Sequence, residues 1–177
     1  MDKQLPHEYH LGVAGLASRD APESLDCLFR WTGGDQMSRE VQAAILFADD
    51  EARRAGQNRI GTEHLLLGLL RNSQTAQFLQ DQFTVLPGQI AEAARQRMER
   101  FPHYETLPWR TLTDQAQKTL LNAHSVAGNV PTGALHLLLC LAGERGGLAG
   151  QALAESGVSS ERISEAITRT SALAAKG

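Results

Sequence analysis

From residue 38 onward the apolar positions recur at steps of three and four. Val41, Ala44, Ile45, Ala48 and Ala52 form one stripe, which predicts an amphipathic helix that Gly56 would stop. The opposite face carries Asp49, Asp50, Arg53 and Arg54. Acid precedes base by four residues there, the order that supports a solvated helix face. The next segment carries Leu65, Leu66, Leu69 and Leu70 and is apolar nearly all round, as a buried central helix is. Thr62 is expected to cap it, with Glu63 in the first turn where the helix dipole favours a carboxylate. A third, short helix is predicted over residues 75–82. A fourth runs from Pro87 to Arg100, with Ile90, Ala93, Ala94 and Met98 inward.

This order is written twice. Gly61-Thr62-Glu63-His64-Leu65-Leu66-Leu67-Gly68-Leu69-Leu70 returns as Gly133-Ala134-Leu135-His136-Leu137-Leu138-Leu139-Cys140-Leu141-Ala142, an offset of 72 residues. Upstream, Met37-Ser38-Arg39-Glu40-Val41-Gln42 matches Leu112-Thr113-Asp114-Gln115-Ala116-Gln117 at an offset of 75, so the second copy lacks three residues near Glu51 to Ala55. Phe78-Leu79 matches Ala152-Leu153 and Ile90 matches Ile163. A repeat of this length makes each unit a structural module that buries its apolar helix against the other. The fold class is therefore all-α, a double four-helix repeat without a β-sheet. Its units span 37–100 and 112–174, and together they form one domain over 37–174.

Between the units, residues 101–111 contain Phe101-Pro102 and Leu107-Pro108, which disfavour helix on both sides. Tyr104 and Trp109 are expected to tuck against the units they join. The second unit should hold helices from Thr113, from Gly133, and near 148–156 and 159–174, with a loop at Gly128-Asn129 and a break at Gly146-Gly147. Residues 1–36 lie outside the repeat. They are expected to be partly disordered, with a short amphipathic helix over Glu23 to Trp31 stopped at Gly33-Gly34.

Composition narrows the function. The chain has 177 residues, 42% hydrophobic and 21% charged, with a formal net charge of −3, which suits one compact domain. Lysine is nearly absent, with only Lys3, Lys118 and Lys176. No basic cluster interleaved with aromatics appears, so nucleic-acid binding has little electrostatic support. Cys27 and Cys140 are too few for a disulfide framework. No signal peptide or long apolar run is present, so no membrane partner is expected and the chain reads as cytoplasmic.

Catalytic signatures are missing from these residues. No glycine precedes a lysine, so there is no phosphate loop for ATP, and no Gly-x-Ser-x-Gly elbow occurs. His7-Glu8-Tyr9-His10 places its histidines three apart, whereas zinc ligation from one helix face needs four. No metal, no cofactor and no enzymatic activity are expected. His64 and His136 stand at equivalent positions, where a polar contact at a helix start is the plain reading.

Arg53-Arg54-Ala55-Gly56-Gln57-Asn58-Arg59-Ile60, followed by the Gly61–Leu70 run, resembles the N-terminal domain of the Clp ATPases of the ClpA and ClpC type. The likeness covers about residues 37–174 and is stronger in the first repeat. It implies a double four-helix repeat with pseudo-twofold symmetry, here free-standing without the ATPase modules. It also implies a protein- or peptide-binding module, acting as adaptor, accessory or decoy in Clp proteolysis. The implied partners are Clp ATPase and protease components, their substrates or adaptors, and proteins bearing phosphoarginine. In ClpC-type domains the Glu of the repeated Gly-Thr-Glu-His motif helps bind phosphorylated arginine, and that role falls here on Glu63, with Thr62 beside it. The second repeat has Ala134 and Leu135 instead. A leucine accepts no hydrogen bond from a guanidinium, so one site rather than two is expected. The chain is expected to be a monomer. The alternative is a stress or regulatory interaction protein that keeps the fold and uses residues 1–36 for an unrelated partner.

Overall fold

The computed structural model describes residues 36–99 and 110–174. The expected 23–31 helix, the His7–His10 motif, Cys27, Tyr104 and Trp109 lie outside the described residues. The first unit contains α1 (Arg39–Arg54), α2 (Thr62–Leu70), α3 (Ser73–Phe83) and α4 (Pro87–Met98). The second contains α5 (Asp114–Ala127), α6 (Ala134–Gly143), α7 (Leu148–Glu155) and α8 (Ser160–Ala174). The fold is the all-α double four-helix repeat.

The first helix of each unit starts in the same way. Ser38 Oγ accepts the Val41 N–H at 3.4 Å, and Thr113 Oγ1 accepts the Ala116 N–H at 3.1 Å, each satisfying one of the donors a helix start leaves unpaired. The predicted stripe Val41, Ala44, Ile45, Ala48 and Ala52 is buried throughout, and so are its counterparts Ala116, Thr119, Leu120, Ala123 and Ala127. After each of these helices the chain turns on a glycine with positive φ, 64° at Gly56 and 63° at Gly128. L-residues with side chains rarely take that conformation, which explains why the glycine recurs.

The apolar helices α2 and α6 lie at the centre and touch each other. Leu65, Leu66, Leu69, Leu137, Leu138 and Leu141 are each fully buried, in one cluster with residues from both units. The first unit packs more closely at its α1–α2 crossing. A Cβ on Gly68 would collide with the Ala44 carbonyl oxygen, so the two backbones meet there only because position 68 has no side chain. The equivalent residue in the second unit is Cys140.

The sequence gives no hint of the way the units are joined. Two-residue strands β1 (Arg59–Ile60) and β2 (Thr111–Leu112) pair in parallel, with Ile60 opposite Leu112. A second parallel bridge joins Met37 to Thr132. By the repeat offsets, Met37 corresponds to Leu112 and Ile60 to Thr132, so each unit lends the segment before its first helix to the segment before the other's second helix. The hydrogen bonds match as well. Thr113 N–H donates to Ile60 O at 2.9 Å, and Ser38 N–H donates to Thr132 O at 3.0 Å. This reciprocity expresses the pseudo-twofold symmetry, and it corrects the expectation that no strand pairing is present. Such pairing requires residues far apart in sequence, and its two-residue strands are too short for period-two alternation to appear.

Candidate functional site

The Gly61-Thr62-Glu63-His64 start of α2 is organised by its histidine. Gly61 is the N-cap, with extended ψ of −179°, and has no side chain with which to cap. His64 supplies the bond instead, its Nδ1 accepting the Gly61 N–H at 2.9 Å. In the second unit His136 Nδ1 accepts the Gly133 N–H at 3.0 Å. An imidazole three residues into the helix thus does what glutamate or glutamine does in a capping box. The polar contact expected of both histidines is present. The expectation that Thr62 caps the helix is corrected, because Thr62 is already the first helical residue, one position too late to cap. It is buried at 3% exposure, with its hydroxyl against Gly147 at the start of α7.

Glu63 lies in the first turn as expected, but its carboxylate is folded back over Gly61, where a Cβ on that glycine would strike it. Its side chain is 13% exposed, with Oε1 3.2 Å from His64 Nδ1. Nδ1 can serve only one partner at a time. As a lone pair it takes the Gly61 N–H, and as an N–H it would donate to Glu63. His136 makes the same glycine contact with Leu135 in the carboxylate's place. His64 Nε2 is buried, with no hydrogen-bond partner among the described residues. Burial pushes the Glu63 carboxyl up, but hydrogen bonding to and charge on His64, its own backbone N–H and the Thr62 hydroxyl outweigh it and hold the group below the usual glutamate range.

The charged run of α1 is only partly the solvated face expected from its spacing, with Arg53 and Arg54 exposed but the acids drawn inward. Asp50 and Glu51 are buried, at 6% and 8% exposure. Asp50 meets Arg53 and Arg54, each at 2.7 Å, and Arg71, the C-cap of α2, at 4.0 Å. Glu51 meets Arg95 of α4 at 3.5 Å, Arg71 at 3.9 Å and Arg54 at 4.0 Å. Arg71 also lies over the Phe47 ring, 4.3 Å from its centroid, a cation–π contact that orients the guanidinium. Asp49 turns away to Arg110, whose Nε and a terminal nitrogen donate to its two oxygens at 2.7 and 3.2 Å. Arg110 falls inside the expected 101–111 break but is buried. One of the two expected i, i+4 pairs forms, Asp50 with Arg54. Tertiary partners claim the other acid, because they offer desolvated, bidentate geometry that a local pair lacks.

The corresponding surface of the second unit carries a shallow groove lined by Asn122, Ser125, Val126, Cys140, Gly143 and Glu144. Burial and the nearby Glu144 push the Cys140 thiol up, which keeps it protonated and a weak nucleophile. Among the described residues no group of histidine, cysteine, aspartate or glutamate could hold a metal ion, and no helix is long and apolar enough to cross a membrane.

A double four-helix repeat whose central helices start on a histidine-capped glycine defines an all-α repeat fold, and comparison with known proteins places it in a family. The model of the Clp repeat (R) N-terminal domain matches residues 36–129, just over half of the 177 residues. The chain belongs to that family. It is similar in fold to a structure solved in investigations of a malarial protein secretion system, at 17% identity and a TM-score of 0.65, over 76% of this chain and 94% of that one. The Hsp104 N-terminal domain from Candida albicans is similar at 16% identity and a TM-score of 0.64, over 74% and 88%. The N-terminal domain of the caseinolytic protease-associated chaperone ClpD from Arabidopsis thaliana is similar at 18% identity and a TM-score of 0.56, over 77% and 98%. No curated protein sequence matches the chain.

Proposed function

We propose that this Clp-related N-domain module is a monomeric, cytoplasmic and non-catalytic protein- or peptide-binding protein. It acts as adaptor, accessory or decoy in ATP-dependent Clp proteolysis, with residues 37–174 as the binding domain and residues 1–36 as an appended contact segment. Its partners are Clp components, their substrates or adaptors, and proteins bearing phosphoarginine. The observation that carries this reading is the Gly61-Thr62-Glu63-His64 helix start of a Clp repeat domain, kept in the first unit with its carboxylate at the helix N-terminus. The Glu63 carboxylate receives the guanidinium, and Thr62 shapes the floor beside it. Because Glu63 lies folded over Gly61, binding requires a rotamer change that swings it outward, which limits affinity.

Titration calorimetry with phosphoarginine tests the site. The expected stoichiometry is about one, since Leu135 offers no acceptor, and Glu63→Ala should weaken binding by about tenfold, as loss of a charge-assisted bidentate pair does. Two equal sites, or an unchanged affinity in the variant, would refute the assignment. The role is tested with a reconstituted Clp protease. An adaptor speeds degradation of a substrate and loses that effect when residues 1–36 are deleted. A decoy slows degradation in proportion to its concentration, with or without them. If the protein neither alters degradation nor co-purifies with a Clp component, the Clp role is wrong and an unrelated partner takes its place.

A further inference from the structure

We propose that Arg53, Arg54, Arg71 and Arg95, gathered around the buried carboxylates of Asp50 and Glu51, form a binding site for a phosphate monoester. The site lies at the C-terminal end of α2. Glu63 lies at the other end, about 13 Å away at the rise of nine helical residues, so the two sites are independent.

Charge is the first argument. Four guanidiniums share two carboxylates, and among the described residues no other acid pairs with them. The cluster therefore keeps two positive charges on a chain whose formal net charge is −3. A phosphate monoester dianion supplies the missing two.

Geometry is the second. Arg53 and Arg54 hold Asp50 closely, each at 2.7 Å. Arg71 and Arg95 stand at 3.5 to 4.0 Å from their carboxylates, beyond hydrogen-bond length. Their N–H donors are free to turn to a ligand, and the side chains of all four arginines are 38–58% exposed. Two of the arginines, Arg54 and Arg71, converge on the same carboxylate oxygens. Asp50 Oδ2 faces both Arg54 and Arg71, and Glu51 Oε1 faces the same two. Such a focus suits a compact anion with several acceptor oxygens, which planar guanidiniums bind in pairs.

The third argument comes from the second unit. By the repeat offsets Phe47, Asp50, Glu51, Arg71 and Arg95 become Asn122, Ser125, Val126, Gly143 and Thr168, while Arg53 and Arg54 fall in the three-residue deletion. The same helices stand there with none of these charges, so the fold does not require the cluster.

The test is calorimetric titration at low ionic strength with inorganic phosphate, glycerol 2-phosphate, a phosphoserine peptide and the same peptide with glutamate in place of phosphoserine. Saturable one-site binding of the phosphates is expected, with the phosphopeptide tighter than the glutamate peptide by about tenfold, as a dianion gains more from paired guanidiniums. A phosphopeptide that outbinds glycerol 2-phosphate assigns the site to phosphoproteins, and the reverse assigns it to small phosphate esters. Arg54→Gln and Arg95→Gln, both at half-exposed positions, should each weaken phosphate binding by about fivefold, with folding checked by circular dichroism. Glu51→Gln should tighten it severalfold, because a competing negative charge is removed. A merely structural ion cluster would not give that gain. Non-saturable phosphate binding, equal affinity for the glutamate peptide, or weaker binding in Glu51→Gln would each overturn the proposal.

Discussion

The two units of this molecule agree where the backbone must be satisfied and differ where side chains meet water. Both start their first helix on a hydroxyl cap, both turn on a glycine of positive φ, and both start their second helix on a glycine whose N–H is taken by a histidine three residues on. Their solvent faces share little. Where the first unit has Glu63 the second has Leu135, and where it has the Asp50–Glu51 arginine cluster the second has an arginine-free groove beside Cys140 and Glu144. The difference teaches that a capping bond or a core leucine answers to fixed geometry, which a repeat retains in both copies. The outer face of a helix answers only to what it contacts, so the copies are free to diverge there.

The largest expected effect tests the shared part. Leu66 and Leu138 are equivalent and fully buried, so truncating either to alanine should cost about 2–5 kcal/mol in denaturant unfolding. If only one truncation destabilises, the units do not contribute equally to one core. A smaller effect separates them. Gly68→Ala must push α1 from α2 and should cost about 1–3 kcal/mol, whereas Cys140→Ala at the half-buried equivalent should cost less than about 1 kcal/mol. Equal costs would mean that the close α1–α2 crossing is not special to the first unit.

The smallest effect is electrostatic and belongs to Glu63. Its folded carboxyl sits below the ordinary value, so the stability it contributes is fully present above the unfolded glutamate pKa of about 4.3. That stability is lost as pH falls through the folded value. Glu63→Gln should therefore flatten part of the acid-side loss of stability and change little near neutrality, while Leu135→Gln should leave the acid limb as it was. A Glu63→Gln curve parallel to wild type below about pH 4 would show that the carboxylate is not stabilised by its surroundings.

Much of the architecture is legible along the chain. The helix expected over 75–82 spans Ser73–Phe83, that from Pro87 ends at Met98, and those near 148–156 and 159–174 span Leu148–Glu155 and Ser160–Ala174. Periodicity and punctuation by glycine and proline are local signals, and helices are local objects. The repeat carried the rest, because duplicated helices that are apolar all round have only each other to bury against. Of the candidate site, the sequence alone placed Glu63 in the first turn of α2 and marked His64 and His136 as equivalent polar contacts. Tertiary structure decided that the carboxylate lies folded inward, that Asp50 and Glu51 are buried, that Asp49 pairs with Arg110 across the chain, and that the units exchange strand segments at Ile60–Leu112 and Met37–Thr132. Each of these depends on groups that meet only after the helices pack. The charge spacing on α1 is the same whether the helix faces water or three arginine-bearing neighbours, and only packing distinguishes the two.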